Sequence, residues 1–154
     1  MGATAPSRGR QEVTIRAMSL DDYDAVTRLW TEAGLAYRSL GRDQPDNIRV
    51  EMERGTAVFL VAESGGDLVG VVLGTHDGRR GWINRLAVAP AYRRRGIAGR
   101  LVREVESRVE ALGIEIVAAL IESENEGSLG FFQAIDYVHN PEIEYVSKRR
   151  SADT

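Results

Sequence analysis

Arg93-Arg94-Arg95-Gly96-Ile97-Ala98-Gly99 gathers three guanidinium groups and two glycines where an apolar run, Ile83 to Val88, passes a turn at Pro90 and a helical pattern begins. Gly96, Ala98 and Gly99 are small enough for backbone amides to approach an anion, and the first turn of a helix carries N–H groups with no partner inside it. Arginine adds charge-assisted hydrogen bonds to phosphate oxygens. Cations at a helix start oppose its dipole, so the cluster calls for a bound anion. The chemistry this spacing points to is phosphate binding.

Length and composition bound what else the chain can be. Its 154 residues, 43% of them apolar, suffice for one well-packed core. A net charge of −3 argues against nucleic acid as a partner, because such binding rests on a broadly basic face. There is no cysteine, hence no disulfide, thiol nucleophile or thiolate metal site, as suits a reducing cytoplasm. No signal-peptide pattern and no apolar run of bilayer length occurs, so the expectation is a soluble cytoplasmic protein without a membrane partner. Gly-x-Gly-x-x-Gly, Gly-Lys-Ser/Thr, His-x-x-x-His and Gly-x-Ser-x-Gly are all missing, which argues against a metal or nucleotide hydrolase.

The elements that must hold the loop follow from periodicity. Met1 to Gln11 reads as a flexible leader, residues 12–148 as a single domain and 149–154 as a polar tail. Val13, Ile15 and Ala17 alternate with Thr14 and Arg16 as a first strand. Ser19 then caps a helix with Tyr23, Val26, Leu29, Trp30 and Ala33 on one face, ended by Gly34. Residues 34–45 lack a period and form a surface loop, the kind of segment that touches substrate, ahead of a short helix near Asp46 to Arg54. Ala57–Ala62, Leu68–Thr75 and Trp82–Val88, joined at Ser64-Gly65-Gly66-Asp67 and Asp77-Gly78, predict three antiparallel strands. Past the arginines, Ile97, Leu101, Val102, Val105, Val109 and Leu112 mark the inner face of a helix stopped by Gly113. Ile114–Ile121 predicts a strand covered on both faces. Ser123-Glu124-Asn125-Glu126 reads as a capping box for a helix with Leu129, Phe132 and Ile135, and Glu142–Lys148 as a closing strand.

This order of elements resembles the GNAT (Gcn5-related N-acetyltransferase) fold, most specifically at the loop. The family reads Gln/Arg-x-x-Gly-x-Gly/Ala after a strand ending Leu-x-Val-x-Pro; here Arg93-Arg94-Arg95-Gly96-Ile97-Ala98 follows Leu86-Ala87-Val88-Ala89-Pro90. Leu29-Trp30, Phe59-Leu60-Val61-Ala62-Glu63 and Asp77-Gly78-Arg79-Arg80-Gly81 are similar to residues of the YpeA-like acetyltransferases within it. The resemblance implies an α/β (α+β) domain whose central sheet is mixed, mostly antiparallel and splayed between its fourth and fifth strands, with helices on both faces. It implies acetyl-CoA (coenzyme A) as cofactor. Arg93, Arg94, Arg95, Gly96, Ile97, Ala98 and Gly99 would hold the diphosphate, and Leu86, Ala87 and Val88 would run along the pantetheine arm, with Asn125 and Phe132 on the same arm. The implied activity is transfer of the acetyl group to a primary amine of a small molecule or peptide by direct attack in a ternary complex, the Leu86 backbone N–H stabilising the oxyanion. Closing strands in this family often pair across a homodimer.

Two positions depart from the family pattern. The tyrosine that protonates the leaving thiolate, seven residues after the asparagine, is replaced by Phe132, which has no proton to give, and the glutamate base is replaced by Leu120. Glu122 is the replacement base expected to act through a water; Tyr137 and His76 are further candidates whose plainer roles are packing and turn formation. The family's Gly-Phe after this helix reads Asp136-Tyr137. On the acceptor side Tyr37 and Arg38, with Asp43, His139 and Glu142, offer polar handles. Should the missing acid and base abolish transfer, the alternative is an acyl-CoA-binding regulatory or sensor protein of the same fold.

Overall fold

A computed structural model of the chain describes residues 12–152 and 154; the leader assigned to residues 1–11 lies outside them. The strands are β1 (Val13–Ala17), β2 (Ala57–Ser64), β3 (Asp67–His76), β4 (Gly81–Val88) and β5 (Val117–Ala119), and the helices α1 (Tyr23–Glu32), α2 (Pro45–Glu53), α3 (Ile97–Glu110) and α4 (Glu126–Ala134). The five strands form one sheet in chain order, antiparallel from β1 to β4, with β5 parallel to β4. A mixed, mostly antiparallel sheet is therefore what the chain builds.

Local chemistry explains the hairpins. Gly65 and Gly66 both adopt positive φ, the left-handed pair that a two-residue connection needs to match strand twist. At the β3–β4 turn the Asp77 carboxylate accepts from the backbone N–H groups of Arg79 and Arg80 at 2.8 Å each, and from the Trp82 indole at 3.2 Å. These donors hold its pKa down to about 2.

The core has two layers. Ile97, Leu101, Val102, Val105 and Val109 of α3 pack with Leu60, Val72, Ile83 and Val88 on one side of the sheet. Val26, Leu29 and Trp30 of α1 and Ile48 of α2 pack with Phe59, Val61, Val71 and Leu73 on the other. Helices cover both faces, so β3 reads as an unbroken apolar run. Glycines set the height of α3: a Cβ at Gly70, Gly74 or Gly81 would stand 3.0, 2.8 or 3.0 Å from Leu101, Val105 or Val109, which are successive turns of that helix.

Three expectations need correction. The strand after α3 is three residues long, not eight, and Ile116 and Leu120 are 49% and 62% exposed, because no helix covers them. Residues 142–148 form no strand and are exposed throughout; alternation is a property of one segment, whereas a ladder needs a neighbouring edge, and β5 offers almost none. The cap of α4 is Asn125, whose side chain accepts from the Ser128 N–H at 3.1 Å, so Ser123 is not the cap.

Two outcomes follow from these contacts. Gly74→Ala pushes a methyl against Val105 and the immovable Val58 carbonyl oxygen, 3.0 Å away, and should cost about 1–3 kcal/mol in urea denaturation. Because the Asp77 pKa is depressed on folding, its contribution is complete above the ordinary value of 3.8 and disappears as pH falls through about 2. Acid titration of thermal stability should therefore be shallower for Asp77→Asn than for the wild type below pH 4.

Candidate active site

The sheet opens where the sequence places its most reactive stretch. Pairing of β4 with β5 covers only Gly81, Trp82 and Ile83, opposite Val117, Ala118 and Ala119, and then stops. Beyond it, Asn84 to Val88 has no strand partner on that side. Leu73 pairs with Arg85 and Gly74 with Ile83, so Asn84 is an extra residue in β4, a bulge at the point of departure. The gap is walled by Leu86 and Val88 on one side and by the segment from Ala119 to Ile121 on the other, over the same apolar cluster that holds Phe131 and Phe132.

The arginine loop closes one end of this gap. A turn over Pro90–Tyr92 leads into it, pinned by the Ala89 N–H donating to the Val69 C=O at 2.8 Å. Arg94 and Gly96 then take φ values of 63° and 76°, left-handed residues that turn successive amides inward as an anion-binding nest does. Among the described residues, none of the N–H groups from Arg94 to Gly99 donates to a backbone carbonyl; the first helical bond is Arg100 to Gly96 at 3.1 Å. A Cβ at Gly96 would meet nothing within 4 Å. These six donors and the exposed guanidiniums of Arg93, Arg94 and Arg95 suit a diphosphate. Arg95 stacks over Tyr92 at 4.9 Å. Ile97 is buried, so it meets an anion only through its N–H, while Ala98 is half-buried and Gly99 is small and buried.

The candidate proton-transfer groups separate clearly. Phe132 is 7% exposed, edge-on to Phe131 and Tyr137 with ring centres 5.0 Å away in each case. The Tyr137 hydroxyl donates to Glu106 of α3 at 3.0 Å, and burial, reinforced by the Glu106 charge, raises its pKa. That phenol is turned into the core as a packing residue. Asp136 supplies the left-handed φ of 72° with which α4 ends, the conformation for which glycine is suited. His76 lies at the end of β3 that pairs with Gly81, away from the loop. Glu122 is exposed in the link between β5 and α4, where its carbonyl accepts the Asn125 N–H at 2.9 Å. Asn125 is likewise exposed, its side-chain oxygen engaged at the helix start.

On the acceptor side, Tyr37 packs on Trp30 at 5.5 Å and the Arg38 side chain is exposed. Asp43 is not the free handle expected of it. Its carboxylate, 5% exposed, accepts from the Arg38 N–H and from Arg85 at 2.7 Å. Arg85 also donates to the Ala36 C=O at 2.6 Å and lies over Trp30 at 4.9 Å. Burial lowers the Arg85 pKa, opposed by Asp43. Arg85 thus ties the 36–43 loop to β4 beside the bulge. Reading the sequence missed it; the one available signal was a lone arginine inside Ile83-Asn84-Arg85-Leu86-Ala87-Val88. His139 and Glu142 are exposed and take no part in these contacts.

The same architecture recurs in proteins of known class. The Acetyltransferase (GNAT) family model matches residues 23–137. An acetyltransferase of Pectobacterium atrosepticum is 32% identical over 123 residues, covering 80% of this chain and 86% of that protein. PaiA N-acetyltransferase from Thermoplasma acidophilum, solved in complex with coenzyme A, superposes with a TM-score of 0.70 at 20% identity, over 80% of this chain and 88% of that one. An aminoglycoside antibiotic 6'-N-acetyltransferase from Acinetobacter baumannii superposes at 0.75 and 17% identity, over 91% and 100%. The chain belongs to the GNAT acetyltransferase family, and the two solved structures share its fold.

The Arg85–Asp43 pair gives a direct test of how the loop is held. Asp43→Ala leaves a guanidinium buried without its carboxylate and should cost about 3–5 kcal/mol, whereas Arg85→Met with Asp43→Leu should recover a large part of it. A double-mutant cycle by urea denaturation measures both.

Proposed function

We propose that the chain transfers an acetyl group from acetyl-CoA to a primary amine of a small molecule or a peptide. One observation carries this reading: six backbone N–H groups without an acceptor lie end to end with an unpaired stretch of β4, a polar track that fits a diphosphate followed by an amide-bearing arm. The coenzyme A bound by PaiA and the names of the relatives support the same ligand. Within the family, Leu29-Trp30, residues 59–63 and residues 77–81 favour a member similar to the YpeA-like acetyltransferases, and the cysteine-free sequence suits work in the cytoplasm. A homodimer belongs to the same reading.

Bound acetyl-CoA supplies an activated acetyl group as a thioester. Arg93, Arg94 and Arg95, with the amides up to Gly99, hold the diphosphate, and the β4 edge from Leu86 to Val88 aligns the arm, with Asn125 and Phe132 across the gap. Such alignment is worth roughly 7–11 kcal/mol in favourable cases, against about 3–5 kcal/mol for an acid or base. The Leu86 N–H steadies the developing oxyanion. Glu122 takes the amine's proton through a water. Phe132 gives no proton, so the departing sulfur is protonated from solvent.

Phe132 and the inward-turned Tyr137 hydroxyl favour a second reading, a regulatory or sensor protein that binds acyl-CoA and does not transfer. Coenzyme A at a hundred times its Kd should stabilise the protein by about 2.7 kcal/mol under either reading, and calorimetry without heat overturns both. Thiol release with a panel of amines occurs only under the first. Glu122→Gln should lower kcat about 10²- to 10⁴-fold; rates matching the wild type across pH remove Glu122 from the mechanism.

A further inference from the structure

Outside the gap, one groove combines unpaired cations with a half-buried carboxylate. It measures about 400 Å³ and is lined by Arg42, Asn47, Glu51, Arg54, Thr56 and Thr75, between α2 and the adjoining ends of β2 and β3. Among the described residues, neither Arg42 nor Arg54 forms an ion pair. The neighbouring acid that would neutralise them, Asp43, is engaged by Arg85 at 2.7 Å. Burial, and then the Asp43 charge, raise the pKa of Glu51, while Arg54 and Arg42 pull it back. The Glu51 carboxylate therefore feels both guanidiniums across the groove.

The groove is also joined to the reacting strand. The Asn84 side-chain amide donates to the Thr75 hydroxyl at 2.8 Å, so one wall of the groove is bonded to the β4 bulge, two residues from Leu86. The groove is thus tied, through one side-chain hydrogen bond, to the strand along which the thioester would lie. Two guanidiniums facing a single carboxylate leave an excess of one positive charge. That balance suits a molecule with more negative charge than a simple amine carries.

We propose that this groove holds the acceptor, and that the acceptor bears a carboxylate on the same molecule as its primary amine, as an amino acid does. Arg42 and Arg54 grip the carboxylate, Glu51 accepts a hydrogen bond from the ammonium group before it sheds its proton, and Asn47 and the two threonine hydroxyls complete the polar lining. The assignment rests on the acetyl-transfer reading above and narrows its substrate to amino acids and their close relatives.

The test uses 5-aminovalerate and pentylamine, which match in chain length and differ in the carboxylate. Thiol release with acetyl-CoA should show kcat/KM higher by about tenfold or more for 5-aminovalerate, the worth of a charge-assisted contact. In Arg42→Met/Arg54→Met that advantage should fall to about one. NMR titration of the coenzyme A-loaded protein with the same two compounds covers the case of no turnover: shifts at Glu51, Arg54 and Thr75 with 5-aminovalerate alone support the site. Equal rates or equal shifts for the two compounds, or an advantage that survives the double substitution, overturn it. Coenzyme A binding, followed separately by calorimetry, distinguishes the two failures: its loss strikes the acetyl-transfer reading, and its survival with the carboxylate preference gone strikes the groove alone.

Discussion

Backbone amides that find no acceptor inside a protein must find one outside it, and this chain gathers such amides at the turn where β4 gives way to α3. Six of them lie at the start of α3, and the unpaired edge of β4 continues from the same turn. The first set is free because a helix starts there after two left-handed residues, the second because β5 leaves β4 after three residues. Had β5 stayed paired, the ladder would have consumed the β4 edge and filled the gap with side chains. The bulge at Asn84 and the left-handed Arg94 and Gly96 are local distortions of the kind tolerated where an external partner completes the hydrogen bonding.

The two sides of the site are stabilised by different physics. The loop proposed to hold the coenzyme offers backbone groups and exposed guanidiniums, which lose little when solvent replaces a ligand. The 36–43 loop, proposed to face the acceptor, is held by a buried ion pair, Arg85 with Asp43, and by the packing of Arg85 and Tyr37 on Trp30. A buried pair of this kind specifies a geometry more than it adds stability. Here it fastens the 36–43 loop to β4, so the position of that loop is set before any ligand arrives.

Most of the scaffold was legible in the sequence because its signals are local. The 3.6-residue repeat marked α1 and α3, Gly65-Gly66 and Asp77-Gly78 marked the hairpins, and the arginine-glycine run marked the turn into α3. What escaped depends on partners distant in the chain. Arg85 and Asp43 are 42 residues apart, and no periodicity joins them. The apolar run Ile114–Ile121 looked like a buried strand because composition reports the wish for burial, not the presence of a cover. Glu142–Lys148 has a strand's alternation and lacks the edge to pair with. Asp136 was visible only as a departure from glycine; its φ of 72° shows what the glycine would be for. The groove of Arg42, Glu51 and Arg54 left no motif at all.

The glycines under α3 carry a consequence for the spacing of the site. Three methyl-free positions let Leu101, Val105 and Val109 settle almost onto the sheet, and α3 begins at the loop that would grip the diphosphate. Helix height over the sheet therefore sets the distance between grip and reacting strand, much as a gauge block sets the opening of a vice. A helix raised by one methyl would carry the loop away from the open edge of β4, and a bound molecule spanning both would have to change its conformation to follow.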